Sequence, residues 1–134
     1  MRRPVIIVHN LAHARAAADV ATTLDRTVRL RSAPGAARYA GAGWFAALVS
    51  LVREEFPSAK LEASLDCATD AGLALAALRA GVPMVRFTGS ATVKRKIAAI
   101  ARAYGAALEN AAVTVDLLDC ADPGAAVRAA LTRR

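Results

Sequence analysis

The sequence predicts an α/β fold in which parallel strands alternate with helices. Short apolar runs rich in Val, Ile and Leu recur roughly every 25 residues, and an Ala-rich segment with helical periodicity follows each run. Gly, Pro or a capping residue separates the two kinds of segment. The 134 residues fit a single domain, 1–134. We therefore expect a three-layer sandwich around a five-stranded, mostly parallel sheet.

The five predicted strands differ in how far they are buried. The first is an uninterrupted apolar run, which is typical of a strand covered on both faces. In the second, Val28 and Leu30 alternate with Arg29 and Arg31, so one face is expected to meet water or a partner. This pattern favours an edge strand. The predicted strands are Pro4–Val8, Thr27–Ser32, Leu61–Cys67, Pro83–Thr88 and Val113–Asp119.

Each predicted helix begins or ends at a recognisable signal. Asn10, Asp70 and Asp122 are expected to cap helix N-termini, and Thr88 or Ser90 to cap another. Pro57 ends the helix that carries Phe45, Leu48, Val49 and Val52 on one face. The helices are Leu11–Leu24, Trp44–Phe56, Asp70–Arg79, Ala91–Tyr104 and a last one from Pro123.

The burial patterns favour the flavodoxin-like strand order 2-1-3-4-5. This order centres the apolar first strand and leaves the second at an edge. It also aligns Ser64, Arg86 and Asp116 on adjacent strands, with Asp116 as the partner of Arg86. The Rossmann-like order 3-2-1-4-5 is the alternative, and it would bury Arg29 and Arg31.

The composition of the chain limits which binding partners and which cellular compartment are expected. The net charge of +7 favours anionic partners. Nucleic acid is nevertheless an unlikely ligand, since an Arg-rich, Ala-rich composition also follows from a GC-rich genome. No apolar run approaches the ~20 residues of a membrane span, and the four-residue run Val5–Val8 is too short for a signal peptide. Two cysteines without a CxxC motif fit free thiols in the cytoplasm and indicate no metal site.

Candidate catalytic residues lie where predicted strands end. Ligands of open α/β sheets bind outside the carboxyl ends of the strands, near the reversal of strand order. The preferred order makes His9 and Asp66 neighbours there, so they could form an acid–base pair. Alternatively, His9 bonds a loop carbonyl. Cys67 is either a nucleophile activated by a helix N-terminus or a small apolar filler.

Candidate ligand-binding residues cluster around the loop Thr88-Gly89-Ser90. Backbone N–H groups, hydroxyls and a nearby Lys94 are what a phosphate or carboxylate requires, although a Gly-Ser helix cap is also an ordinary structural feature. Arg38 and Asn10 are expected to help from neighbouring loops.

The segment from Pro34 to Gly43 is predicted to be a flexible Gly-Ala loop beside the same crevice. Gly41-Ala42-Gly43-Trp44-Phe45-Ala46 matches G-x-G-x-x-A, but the dinucleotide motif requires its glycines directly after a strand. Nine residues separate Ser32 from Gly41 in this chain, so the match does not predict a dinucleotide site.

Four segments from the middle of the chain carry a resemblance to known proteins: Ser32–Ala37, Gly41–Phe45, Asp66–Gly72 and Leu78–Gly81. They resemble a set of small proteobacterial α/β proteins that carry no assigned activity. The resemblance implies an α/β fold and identifies no catalytic residue.

Three hypotheses for function follow. The leading one is a small module that binds a phosphate- or carboxylate-bearing molecule at the carboxyl edge of the sheet. The second is an enzyme that uses His9 with Asp66, or Cys67, in the same crevice. The third is a homo-oligomeric interaction protein, such as a homodimer, that pairs through the second strand or the polar face of the sheet. No cofactor can be assigned.

Overall fold

The computed structural model describes residues 3–132. Every strand pairing in it is parallel, which confirms the α/β class. The strands are β1 Val5–Val8, β2 Val28–Ser32, β3 Leu61–Asp66, β4 Met84–Arg86, β5 Ala107–Leu108 and β6 Val115–Asp116. The helices are α1 Leu11–Leu24, α2 Ala36–Tyr39, α3 Gly41–Glu55, α4 Ala71–Arg79, α5 Ala91–Ala103 and α6 Pro123–Thr132.

The sheet has six strands in the order β5-β4-β3-β2-β1-β6, so the predicted number and order were both wrong. The predicted fifth strand corresponds to β6, and the two-residue β5 was missed. In the flavodoxin-like order β1 would lie between β2 and β3, whereas it lies between β2 and β6. The Rossmann-like alternative has the run β3-β2-β1 right but misplaces β4, which pairs with β3. The second strand is central, and the edges are β5 and β6.

The sheet is curled, as the chain between its two edge strands shows. Glu109 N–H still bonds Val85 O beside β5, and Thr114 N–H already bonds Val5 O beside β6. Five residue steps span at most ~18 Å. A flat sheet would separate its outer strands by ~24 Å. The edges must therefore approach each other, and residues 109–114, here called the strap, bridge them. Strands β1 to β5 lie side by side in the order of the chain, and β6 lies beside β1. The strands of a β/α barrel follow one another around the sheet in the same way.

One face of the sheet is apolar and packs against helices. Its side chains belong to a single core cluster with those of α1, α3, α4, α5 and α6. Those helices contact one another in the order α6, α1, α3, α4, α5. This helix face consists of Ile6, Val8, Val28, Leu30, Ala63, Leu65, Val85, Phe87 and Leu117.

The opposite face is rich in charged groups and is covered by the strap. Alternate residues of paired strands point to the same side of a parallel sheet. Val5 and Ile7 are buried but lie outside the core cluster, because they belong to this second side. The polar face consists of Val5, Ile7, Arg29, Arg31, Glu62, Ser64, Asp66, Met84, Arg86 and Asp116.

Local sequence signals fix the beginnings of three helices. The side chain of Asn10 accepts the His13 N–H at 2.8 Å, and that of Asp70 accepts the Leu73 N–H at 3.0 Å. Asp122 accepts the Ala125 N–H at 3.1 Å. These are the caps that the residue types predict, and each satisfies a donor that a helix start leaves unpaired.

The segment expected to be a flexible loop is mostly helical. Gly35, at φ 67°, lets the chain turn into α2, and α3 begins at Gly41 rather than at Trp44. The buried side chains of α3 are Phe45, Leu48, Val49 and Val52, which is the face that the sequence predicts. Helical propensity of the alanines outweighed the two glycines here.

Within residues 3–132, no helix combines the length and the apolar character needed to cross a membrane.

Candidate functional site

A cleft of about 400 Å³ opens at the carboxyl end of the polar face. It lies where the carboxyl ends of β2, β3 and β4 meet the strap, and we call it the Arg86 cleft. Charged side chains from three neighbouring strands converge there because parallel strands end at the same edge. Its walls are formed by Ile7, Arg31, Pro34, Gly35, Asp66, Ala68, Arg86, Thr88 and Val113.

Asp66 organises one wall of this cleft. Its Oδ1 accepts the backbone N–H groups of Gly35 at 3.1 Å and Ala68 at 2.9 Å. Its Oδ2 lies 3.3 Å from Nε of Arg86. Its own N–H donates to the Ser32 hydroxyl at 2.8 Å. One buried carboxylate therefore ties the loops after β2 and β3 to β4.

The loop after β3 is held in a strained conformation. Ala68 has φ 51°, in the left-handed region that a residue with a Cβ rarely adopts. The hydrogen bond from its N–H to Asp66 helps to hold it there, as does the bond from the Thr88 N–H to the Ala68 carbonyl at 2.8 Å. Strained residues of this kind are common at ligand sites, where several surrounding contacts hold the backbone in place.

A buried ion pair forms the floor of the cleft. Arg31 donates from Nε to Glu109 Oε1 at 3.0 Å and from Nη2 to the other oxygen, and Nη2 also bonds the Ala111 carbonyl at 2.7 Å. Both charged side chains are only 2% exposed. Arg29 lies 3.5 Å from the same carboxylate and bonds Glu62. Arg29 and Arg31 are thus buried or nearly so, with carboxylates from β3 and the strap as partners.

The Glu109 carboxyl is kept ionised by its partners. Burial alone would raise its pKa, but the hydrogen bond from Arg31, the Ala111 N–H and the Arg31 charge together hold the pKa below the ordinary value. The Ser64 hydroxyl lies near the same carboxylate. Within residues 3–132 it is the one buried side-chain oxygen or nitrogen without a partner.

Of the predicted loop Thr88-Gly89-Ser90, only Thr88 lines the cleft. Ser90 caps α5 by accepting the Val93 N–H at 3.3 Å. Gly89 is required sterically, since a Cβ there would lie 2.3 Å from Cζ of Phe87. Lys94 is half-buried in the first turn of α5 and forms no wall of the cleft.

Arg38 and Asn10, the other predicted ligand-binding residues, lie away from this cleft. Arg38 is exposed on α2. Asn10 caps α1 and lines a different cleft, together with His9.

His9 does not meet Asp66, because β2 separates β1 from β3. Its Nε2 lies 2.7 Å from Oδ1 of Asp116, which β6 brings beside β1. The expected pairing of Arg86 with Asp116 was wrong because β6 lies beside β1 rather than beside β4, and Arg86 contacts Asp66 instead. The two errors follow from placing β1 next to β3 and β6 next to β4.

The environment of Cys67 does not favour a nucleophile. Burial, followed by the charges of Asp66 and Asp70, raises the pKa of its thiol to about 12. The side chain is 1% exposed and belongs to the apolar core cluster. The thiolate, which is the reactive form, is therefore scarce at neutral pH. Cys67 and Cys120 are both free thiols.

Among residues 3–132, no three His, Cys, Asp or Glu side chains are grouped closely enough to hold a metal ion.

Sequence reasoning missed the residues that build the cleft floor. The alternation of Arg29 and Arg31 with apolar residues was the available signal, and it was interpreted as an edge strand with one face toward water or a partner. Glu109 gave no signal of its own, because it lies 78 residues from Arg31 in a segment without a recognised element.

Comparisons with known proteins support the fold alone. No family model matches the sequence, and no curated protein matches it. A solved structure of a proposed fructose-1,6-biphosphate aldolase from Coccidioides immitis is similar, with a TM-score of 0.65 and 20% sequence identity. The similarity covers 79% of this chain and 44% of that one, so this chain spans less than half of the aldolase's length.

Proposed function

We propose that the protein binds a small molecule bearing a phosphate or carboxylate group in the Arg86 cleft. The observation that carries this proposal is the state of the Arg86 guanidinium. Its Nε lies 3.3 Å from Oδ2 of Asp66, and its two terminal nitrogens donate no hydrogen bond to residues 3–132. The side chain is 29% exposed, so these donors are accessible. A guanidinium with two adjacent free donors matches the oxygens of a phosphate or carboxylate.

The other walls favour a ligand that carries more than a bare anion. The Thr88 hydroxyl is exposed at the rim and can donate to the same anionic group. Asp66 places a carboxylate beside Arg86, and its Oδ2 can accept a hydrogen bond from a ligand hydroxyl. Arg31 is fully engaged by Glu109 and the strap, so it contributes positive potential rather than a free donor. The cleft therefore suits a hydroxylated phosphate or carboxylate.

Calorimetric titration tests this proposal with three probes: inorganic phosphate, glycerol 3-phosphate and glycerol. We expect glycerol 3-phosphate to bind more tightly than phosphate, and glycerol not to bind. Arg86→Gln removes the guanidinium, and we expect it to weaken glycerol 3-phosphate binding at least ~10-fold, the loss for a charged hydrogen bond of about 1.5 kcal/mol or more. The matched control is Arg102→Gln, an exposed arginine of α5, which should leave binding unchanged. The proposal would be refuted if no heat of binding were measured at millimolar probe concentrations, or if Arg86→Gln bound the probe as tightly as the unmodified protein does.

The two free cysteines fit a reducing compartment, and we propose the cytoplasm as the location of the protein.

A further inference from the structure

A second group of polar side chains lies at the ends of β1 and β6, outside the Arg86 cleft. His9 Nε2 is 2.7 Å from Asp116 Oδ1. Asp116 is itself oriented, because Oδ1 also accepts the Leu118 N–H at 2.9 Å. Burial would raise its pKa, but the bonds from Leu118 and His9 hold it below the ordinary value. The Asp116 carboxylate is thus ionised and is held in position beside Nε2 of the His9 imidazole.

This contact determines which imidazole nitrogen is basic. An ionised carboxylate only accepts, so the neutral His9 carries its proton on Nε2 and keeps a lone pair on Nδ1. Nδ1 has no hydrogen-bond partner among residues 3–132. The titratable groups that face His9 are Asp116 and His13, whose ring lies edge-on at 5.7 Å between centroids. His13 Nδ1 accepts the His9 backbone N–H at 3.1 Å, so His13 is held neutral and orients the turn.

His9 lines a cleft of about 390 Å³ between the start of α1 and one face of α3. We call it the His9 cleft, and it shares no wall residue with the Arg86 cleft. Its walls are mostly apolar, with Trp44 39% and Leu51 40% exposed. The lining residues are His9, Asn10, Leu11, Trp44, Ala47, Leu48 and Leu51. A neutral histidine with a free lone pair is the group most often used as a general base.

We propose that His9 is a general base that removes a proton from a small substrate whose aromatic or aliphatic body packs against Trp44 and Leu51. The substrate C–H bond breaks, the proton goes to His9 Nδ1, and the electron pair moves into an electron-accepting group of the same substrate. Asp116 is a positioning residue, which keeps the proton on Nε2 and stabilises the imidazolium that forms. The proton then passes to product or solvent, so His9 returns to its starting state.

The test uses 5-nitrobenzisoxazole, an aromatic carbon acid. A base takes its C–H proton, the electron pair forms a nitrile, and the N–O bond breaks to give a coloured phenolate. We expect a saturable rate, and His9→Ala should lower kcat/KM by about 100-fold, the lower range of general-base contributions. Trp44→Ala should raise KM and leave kcat nearly unchanged. Arg102→Gln, remote from both clefts, is the matched control. A rate linear in substrate, or an undiminished His9→Ala rate, would overturn the proposal.

Asp116→Asn distinguishes positioning from structure. The amide retains an oxygen for the Leu118 N–H but removes the charge that stabilises the imidazolium. We expect the rate to fall and the midpoint of its pH profile to move to lower pH, because the imidazolium loses the carboxylate charge that stabilises it. An unchanged pH midpoint in a folded Asp116→Asn variant would contradict the role given to Asp116.

Discussion

The two faces of the sheet are built from the same six strands but are held together by different forces. The helix face buries Ile, Leu and Val against helices, and its stability comes from the removal of apolar surface from water. The polar face buries charges that are stable only because each has a partner, as Arg31 has in Glu109. The stability of the helix face therefore falls gradually as apolar side chains are shortened, whereas the polar face is strongly destabilised when a single charged partner is lost.

The largest expected effect is the loss of one partner from the polar face. Glu109→Gln leaves the buried Arg31 without a countercharge and should lower the free energy of unfolding by about 3–5 kcal/mol, measured by urea denaturation. The control is Glu55→Gln, which breaks an exposed pair with Arg15 and should change stability by less than about 1 kcal/mol. Equal small losses for both variants would contradict the distinction.

The double variant Arg31→Met with Glu109→Leu sharpens the same comparison. It replaces both charges by apolar groups of similar size, so we expect it to recover most of the stability that Glu109→Gln loses. A double variant as unstable as Glu109→Gln would show that the ion pair contributes more than compensation of two buried charges.

On the helix face, Leu65→Ala should lower stability by about 2–5 kcal/mol, through lost burial and the cavity left behind. The loss should be the same at pH 7 and pH 5, because no charge is involved. Leu118, 55% exposed, provides the control, and Leu118→Ala should stay within about 0.5 kcal/mol of the unmodified protein. A strongly pH-dependent Leu65→Ala loss would mean that the two faces are energetically coupled.

Acid should weaken the polar face selectively. Because the pKa of Glu109 is lower in the folded than in the unfolded chain, its contribution is complete above the ordinary value of 4.5 and is lost as the pH falls toward the folded value. The free energy of unfolding, followed from pH 6 to pH 3, should therefore fall more steeply in the unmodified protein than in the Arg31→Met, Glu109→Leu double variant. Parallel curves would be evidence against this linkage.

The smallest expected effect concerns His13. Burial, and then the charge of His9, lowers its pKa, and the charge of Asp116 opposes them only in part. The unfolded chain therefore takes up this proton first, and stability should decline as the pH falls below 6.5. His13→Gln, which keeps an acceptor for the His9 N–H, should lack this part of the decline between pH 7.5 and pH 5.5. An equal decline in the unmodified protein and in His13→Gln would rule out this contribution of His13.

The sequence predicts the helix face better than the polar face. Apolar periodicity found the first four strands and the buried side of α3, because burial of apolar side chains is a local signal. The strand order failed at Arg29 and Arg31, since whether an arginine can be buried depends on a partner elsewhere in the chain. For Arg31 that partner is Glu109, in a segment with no apolar period. The two-residue β5 is too short to give any alternating pattern.

Part of the edge at which the sequence predicts a ligand forms a cleft in the structure. The carboxyl edge of the sheet follows from parallel strands, and Asp66 and Thr88 do lie in a cleft there. The contact of His9 with Asp116 could not be foreseen, because it depends on β6 lying beside β1. The contact of Asp66 with Arg86 joins β3 to β4, which the predicted order also placed side by side, but that order assigned Arg86 to Asp116.

The position of β6 beside β1 also bears on how the protein is made. During synthesis, β1 emerges about a hundred residues before β6, which is its second neighbour in the sheet. Helix α1 likewise emerges long before α6, against which it packs. Until then one side of an apolar strand stays open, and contacts so distant along the sequence slow the final step of folding. A ribosome-bound nascent chain that stops before residue 115 should therefore be more sensitive to protease than one that has released α6.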